Sequence, residues 1–313
     1  MSWIPTLSPA GPQAESLRFI LWVTLGLAAV ILTLIIALVF VALHRYRARG
    51  RGEGDARQTE GNVKLEVVWT VVPALIIAGL FILMVGEVHG IDPAPPPGRK
   101  PDIVVVGHQW WWEVRYPGSG VVTANELHVP VGRRLLLRME SADVIHDFWA
   151  PQLTRKIDMV PGHPNTIWME VDRPGVYDGE CAAFCGAQHA NMRFKVFAQP
   201  PAQFQAWLKK QAGPAAPPRD STAIAGVMLF LGNGLCARCH TIRGLSAGPD
   251  IGPDLTHIGG RTTLAAATLP NTDSAMARWL KDPQAVKPGN HMPDLHLSDA
   301  DVHALVTYLE SLK

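Results

Sequence analysis

"GECAAFCGAQHANM", residues Gly179 to Met192, gathers Cys181, Cys185, His189 and Met192 into one short stretch. All four are soft or borderline metal ligands. The two cysteines and the histidine follow one another at intervals of four, and the methionine comes three later. A second histidine, His146, lies upstream in "SADVIHDFW", on a predicted strand or its adjoining loop. Thiolate and thioether together select copper among the common metals. Zinc would take Cys181, Cys185, His146 and His189 as a tetrahedral set, but would have no use for Met192. A mononuclear blue-copper site needs one cysteine, and here there are two. Two thiolates can bridge two copper ions, each with one terminal histidine. The electron is then shared between the metals, and the geometry changes little on reduction. A buried thiol pair, or one that only delivers copper, would not need the remaining ligands.

Around this stretch, from Asp102 to about Phe197, the pattern is one of short β-like runs. Examples are "IVVVGHQWWWEVRY", "ELHVPVG", "RRLLLRM", "TIWMEV" and "MRFKVFA". Pro117-Gly118, Pro161-Gly162 and Pro174-Gly175 punctuate them. That predicts an all-β sandwich over residues 102–198. Within "HQWWWEV", strand alternation sends Trp110 and Trp112 to one face and Trp111 to the other.

The only other cysteines, Cys236 and Cys239, fall in "CARCH". Two close pairs inside motifs point to cofactors and not to a disulfide framework. C-x-x-C-H is the attachment sequence for haem c: the thiols add to the vinyl groups, and His240 supplies an axial nitrogen. Met292 in "KPGNHMPDL" is the best opposite ligand, with His291 and His296 as competitors. A His/Met pair raises the potential relative to two histidines. Pro253 in "GPDL" would accept the other ring N–H of His240 and fix its tautomer. A helix opens this unit near Ser221 and ends at "CARCH". Another closes it, capped by Ser298 with Asp301 in its first turn. Met228, Met276 and Trp279 read as helix packing.

Toward the N-terminus, Phe19 to Leu43 and Val67 to Val85 carry no charge and are long enough to span a bilayer. Pro73 in the second run is a kink that membrane helices tolerate. The first run is too long for a signal peptide, and its basic residues follow it. The intervening loop carries Arg45, Arg47, Arg49, Arg51, Arg57 and Lys64, against Arg18 alone before the first run. Positive loops stay in the cytoplasm, so both termini and everything after residue 86 face outward, to the periplasm or outer membrane face. A formal net charge of +1 over 313 residues gives no case for nucleic acid.

With these residues in view, 15–197 resemble subunit II of the haem–copper cytochrome c oxidases. "LEVVWTVVPALI", "VGHQWWWEVRY", "NELHVPVG", "SADVIHDFWAPQL" and "KIDMVPG" carry the resemblance, with the opening stretch. Residues 221–313 resemble a class I cytochrome c, through "CARCH", "GPDL" and "HMP". The pair together resembles the caa3-type subunit. The resemblance implies a multidomain membrane protein: a two-helix transmembrane hairpin, a cupredoxin-like Greek-key sandwich and an all-α class I cytochrome c domain. The expected division is 1–90 with membrane helices at about 19–43 and 67–85, 102–198, a linker at 199–220 made of one short helix-like piece and then an Ala/Pro stretch from Gly213 to Pro218, and 221–313. "DPAPPPGRK", Asp92 to Lys100, is a stiff spacer.

It further implies a dinuclear CuA centre held by His146, Cys181, the backbone carbonyl of Ala183, Cys185, His189 and Met192. The family usually has an acidic residue at position 183, whose carboxylate binds magnesium at the boundary with subunit I. Ala183 lacks it, so that site is either absent or built from other ligands. Trp110 is implied as the electron entry point, and Glu66 as the mouth of a proton channel in subunit I. A carboxylate complementing a helix dipole explains Glu66 equally well. The expected function is electron entry: covalent haem c to CuA to the haems of subunit I, where oxygen is reduced and protons are pumped. Expected partners are subunits I and III, membrane lipid, and a soluble cytochrome c or another respiratory complex as donor, in a bacterial cytoplasmic membrane. The fusion makes the donor's local concentration depend on the linker. Two other readings are the entry subunit of a CuA nitric oxide reductase, and a copper-delivery or sensing protein. A quinol oxidase subunit would lack the copper ligands.

Overall fold

The computed structural model describes residues 5–47, 60–232, 236–249 and 251–313. Arg49, Arg51 and Arg57 of the basic loop lie outside them. The chain forms two compact units, one of residues 15–93 and one of 1–14 with 94–313.

The first unit is a pair of helices, α1 (Pro12–Arg45) and α2 (Val63–Ile91). Both are longer than the uncharged runs at 19–43 and 67–85, because no breaker stops the helix at the polar ends. Asn62 caps α2, its side chain accepting from Lys64 N and Leu65 N at 3.1 and 3.3 Å. Helix α2 passes through Pro73 unbroken. Ser16, near the start of α1, bonds Glu87 near the end of α2, so the two run antiparallel. Leu, Ile, Val and Phe are exposed on every side of both helices, which suits a lipid environment and not water.

The second unit begins with a two-sheet sandwich. One sheet has the order β3-β2-β1-β5-β8, the other β4-β10-β9-β6-β7. The strands are β1 (Ile103–His108), β2 (Trp111–Tyr116), β3 (Val121–Ala124), β4 (Glu126–Pro130), β5 (Leu135–Ser141), β6 (His146–Trp149), β7 (Ile157–Met159), β8 (Asn165–Met169), β9 (Gly175–Cys181) and β10 (Arg193–Gln199). The run expected as one strand, "IVVVGHQWWWEVRY", is a hairpin: His108 pairs with Trp111, leaving Gln109 and Trp110 as the turn. Trp112 fills the core against Phe148 and Phe194, at ring distances of 5.8 and 5.3 Å. Trp111 points away and stacks on His108 at 4.2 Å. The segment before α1 is stitched to this sandwich. Ala10 N donates to Gln152 O at 2.7 Å, and Asp172 N donates to Ala10 O at 2.9 Å. Gly11 is needed there, since a Cβ would meet Glu170 O at 2.2 Å.

The stretch expected as linker opens with α3 (Pro201–Gln211), which packs on the sandwich through Phe204 and Trp207. Trp207 and Phe197 sandwich the His128 ring at 3.9 and 4.7 Å. Burial pushes His128 down from 6.5 to about 4, only partly offset by its contact with Gln199. As pH falls through that window the unfolded chain takes up a proton that the folded chain refuses, so stability falls. We expect a loss of up to about 3 kcal/mol from this group between neutral pH and pH 4. Chemical denaturation of the detergent-solubilised protein checks it: His128→Phe should flatten the acid limb, and an unchanged limb contradicts the assignment.

The remainder is a small helical unit: α4 (Ser221–Leu231), α5 (Asp273–Lys281), α6 (Pro283–Val286) and α7 (Asp299–Ser311). Ser298 and Asp301 form a reciprocal capping box on α7. Helix α4 crosses α7 where Gly226 faces Ala304; a Cβ on Gly226 would lie 2.3 Å from Ala304 O. One expectation is corrected and one small element is added. Helix α4 stops at Leu231, with Gly232 in extended backbone, so "CARCH" follows the helix as a turn of its own. The unit also contains a short hairpin, β11 (Thr263–Leu264) and β12 (Leu269–Pro270). Its connecting residues Ala265, Ala266 and Ala267 all have positive φ (51°, 57° and 55°), a conformation that disfavours alanine.

Candidate metal centre and haem-attachment turn

His146 opens β6 and Cys181 closes β9. Cys185 follows in the next loop, His189 starts a single 3-10 turn, and Met192 follows that turn. The sandwich thus brings together residues far apart in sequence. The Cys181 and Cys185 sulfurs lie 3.7 Å apart. His146 Nδ1 is 3.9 Å from the first sulfur, and His189 Nδ1 is 3.7 Å from the second. Met192 Sδ is 3.7 Å from Cys185 Sγ, and Ala183 O is 3.2 Å from Cys181 Sγ. His146 and Met192 are fully buried. Two thiols with an imidazole at each end, a thioether and a carbonyl form a donor set that fits copper.

Glycines make room for these side chains. A Cβ on Gly107 would lie 2.8 Å from His146 Cδ2, and one on Gly179 would lie 2.1 Å from the Phe194 ring. The hydrogen bond between the two thiols, aided by His146, holds Cys181 well below the usual thiol range, at about 3, against the effect of burial. Cys185 is driven upward by the same contact. A metal bound here would displace the thiol protons.

Sequence reasoning missed the groups that orient the ligands. Asp143 Oδ1 lies 2.8 Å from His146 Nε2, which turns Nδ1 toward sulfur. Burial lowers the His146 pKa, but the Asp143 hydrogen bond and Cys181 outweigh it, and the net shift is upward. Asp143 Oδ2 also accepts from Gln109 N at 2.6 Å. Gln109 Nε2 and Trp110 Nε1 both donate to Cys185 O, at 2.8 and 3.0 Å. The signal available was an acid three residues before a candidate ligand. Trp110 is buried, with its ring 5.0 Å from that of His291 in the helical unit. Phe184, beside Ala183, is 82% exposed. Glu66 stands in the first turn of α2.

In the helical unit, Cys236 to His240 form a tight turn, with Cys239 N and His240 N donating to Cys236 O at 3.1 and 2.9 Å. His240 Nδ1 lies 2.8 Å from Pro253 O, so Nδ1 carries the hydrogen and Nε2 keeps its lone pair. Burial lowers the His240 pKa, the Pro253 contact offsetting part of the effect, and the ring stays neutral. A Cβ on Gly252 would lie 2.5 Å from His240 Cε1, so the chain passes against the ring face. Cys236 and Met292 are half-buried and pack against the same core, whereas His291 and His296 are exposed. The attachment turn, a neutral imidazole with one committed nitrogen, and a thioether at the same core form a set that fits haem c.

Three family models match the chain. They are described as cytochrome c oxidase subunit II, transmembrane domain, over residues 6–84; cytochrome c oxidase subunit II, periplasmic domain, over 119–198; and cytochrome c, over 223–313. Cytochrome c oxidase subunit 2 of Alkalihalophilus pseudofirmus is 35% identical, over 99% of this chain and 91% of that one. Quinol oxidase subunit 2 of Bacillus subtilis is 32% identical over 65% of each. Among solved structures, the periplasmic domain of cytochrome oxidase subunit II from Bradyrhizobium japonicum is 29% identical. That match has a TM-score of 0.35 and covers 36% of this chain and 95% of that one.

Proposed function

Because the chain belongs to the cytochrome c oxidase subunit II family, with fused copper and cytochrome c domains, we propose that it carries electrons from haem c on residues 221–313 to a dinuclear CuA centre on residues 102–198. From there they go to the haems of subunit I, for oxygen reduction coupled to proton pumping. Copper and haem c are implied by the matched domains, and association with other oxidase subunits by the family. The observation that carries the dinuclear reading is the pair of thiols 3.7 Å apart with a histidine Nδ1 beside each. His146, Cys181, the Ala183 carbonyl, Cys185, His189 and Met192 would hold the copper ions. Cys236 and Cys239 would bond the haem, with His240 and Met292 as axial ligands and Pro253 orienting His240. When bound, each centre takes up and releases one electron with little rearrangement. The chain's part is to fix the ligands: Asp143 holds His146, Gln109 and Trp110 hold the Cys185 carbonyl, and Pro253 holds His240.

Trp110, buried between the copper loop and His291, is read as a contact between the two cofactor units and not as an open docking surface. Glu66 complements the α2 dipole; its use as a proton-channel entry rests on the resemblance alone. The two apolar helices anchor the chain in a membrane. The stitching of residue 10 to the sandwich supports one side for both, hence an even number of crossings, and the basic loop puts that side outward. Subunit III and a soluble or complex-bound cytochrome donor complete the proposed partners. The nitric oxide reductase and copper-delivery readings are not favoured, since a full-length relative is a cytochrome c oxidase subunit.

The test is to purify the native complex, assay oxygen against nitric oxide, and record spin resonance. A delocalised mixed-valence copper signal with oxygen consumption is expected. One tightly bound zinc, with no copper signal after reconstitution, would sink the dinuclear reading. For the haem, Met292→His should leave attachment intact and lower the potential, as imidazole replaces the softer thioether. An unchanged potential would assign the axial position to another residue.

A further inference from the structure

Lys287 follows α6 in the helical unit and is only 3% exposed. Its Nζ donates to two backbone carbonyls of the sandwich, Trp110 O at 3.1 Å and Asn191 O at 3.0 Å. A third bond goes to Ala265 O of its own unit, at 3.3 Å. All three ammonium hydrogens are thus committed to carbonyls. Among the described residues, no carboxylate pairs with it. Lysine is ordinarily a surface residue, and burying its charge without a counter-charge is costly. The cage of carbonyls compensates only in one relative position of the two units.

The sandwich reciprocates. Glu126, on β4 and 2% exposed, sends Oε1 into the helical unit. That oxygen accepts from Thr262 N and Thr262 Oγ1, both at 2.7 Å, and from Thr263 N and Thr263 Oγ1 at 3.0 and 3.2 Å. Between the two charges lies the left-handed alanine turn. Ala266 packs with Trp111 and Ala124, and its carbonyl accepts from Arg193 N at 3.2 Å. The Lys287 contacts flank the metal centre: Trp110 also donates to the Cys185 carbonyl, and Asn191 immediately precedes Met192.

We infer that Lys287 and Glu126 are positioning residues, a reciprocal pair of buried charges that locks the cytochrome unit over the copper site in one orientation. Each unit places one charge into the other's backbone. Electron transfer then occurs within a docked state and does not wait on repeated encounters through the linker. Buried charges are screened little by salt, so the docking withstands ionic strength that dissociates a surface complex. This rests on the proposed passage of an electron from haem c to copper.

The test uses the intact oxidase complex carrying Lys287→Met or Glu126→Gln. Haem c is photoreduced, and its reoxidation is followed against copper reduction over a range of salt. Hydrogen exchange is measured across residues 262–267 in parallel. The wild type should transfer rapidly and independently of salt. Each variant should slow transfer about tenfold, gain salt dependence and expose the Thr262 and Thr263 amides to exchange, with both cofactor spectra unchanged. If Lys287→Met fails to assemble, Glu126→Gln tests the other half of the lock. Wild-type rates and wild-type exchange in the variants would overturn the inference. No transfer from haem to copper in the wild type would overturn the functional reading instead, and the exchange data would still decide the docking.

Discussion

Cys185→Ser in the intact complex should abolish the delocalised copper signal and lower oxygen consumption by more than about a hundredfold, since even outer-shell changes at metal sites cost 10–100-fold. Cys185 is one of the two sulfurs around which the donor set is gathered. Its sulfur lies 3.7 Å from Cys181 Sγ, from His189 Nδ1 and from Met192 Sδ. Cys181 contacts as many, namely His146 Nδ1, Ala183 O and Cys185 Sγ, but Cys185 alone reaches both His189 and Met192. A serine hydroxyl is hard and stays protonated at neutral pH, so it would not replace the thiolate proposed to bridge the metals. The fold should survive, because the change is nearly isosteric and the Cys185 carbonyl keeps its bonds from Gln109 and Trp110. Spin resonance, copper content and an oxygen electrode read the three parts of the result. A retained mixed-valence signal would rule out Cys185 as a bridge.

Gly252→Ala should act directly on the His240 ring of the cytochrome unit. The added Cβ would lie 2.5 Å from His240 Cε1 and 2.8 Å from Nδ1. The His240 backbone is also closely packed: a Cβ on Gly248 would meet His240 O at 2.6 Å. The imidazole must move, and the 2.8 Å contact with Pro253 O is lost with it. Overpacking of this kind costs roughly 1–3 kcal/mol, and the orienting hydrogen bond adds to that. Covalent attachment should persist, because Cys236 and Cys239 are untouched. The expected result is a haem with altered axial coordination, visible in its absorption spectrum, and electron transfer to copper lowered at least about tenfold. A normal spectrum with normal transfer would show that His240 tolerates displacement and that Pro253 does not set its orientation.

Much of this was legible because cofactor chemistry demands particular residues at particular spacings. Two thiols four apart, a histidine four further and a methionine three beyond leave few metals to choose from, and C-x-x-C-H leaves few haems. The membrane helices were legible from uncharged length, though not their ends, which run on through polar residues until a cap or turn stops them. The hairpin inside "HQWWWEV" was not legible, because three aromatic residues in succession look like continuous strand. Asp143 was visible as a neighbour of His146, but neighbourhood in sequence does not reveal which nitrogen it engages.

The docking of the cytochrome unit was the largest omission. Nothing in "AVKPGN" or "NELHVP" marks Lys287 or Glu126 as buried. Only the packing of two units distant in sequence turns them into buried ones. On the docking inferred above, specific contacts and not linker length would set the donor's position. Helix α3, the helix-like piece expected ahead of the Ala/Pro stretch, packs on the sandwich, and contacts of Lys287 and Glu126 join the two units.

The short segment ahead of α1 has a consequence for how the molecule is made. Ala10 completes its hydrogen bonds only with Gln152 and Asp172, residues synthesised long after it. This segment therefore stays unpaired until the sandwich, which follows both helices in the sequence, has been made. A secreted fragment that starts at Asp102 escapes that wait, but it leaves behind a groove along Glu170 and Leu153 shaped for a glycine that never comes. Circularly moving residues 8–11 to follow the sandwich, on a short flexible joint, would let the same groove close in water.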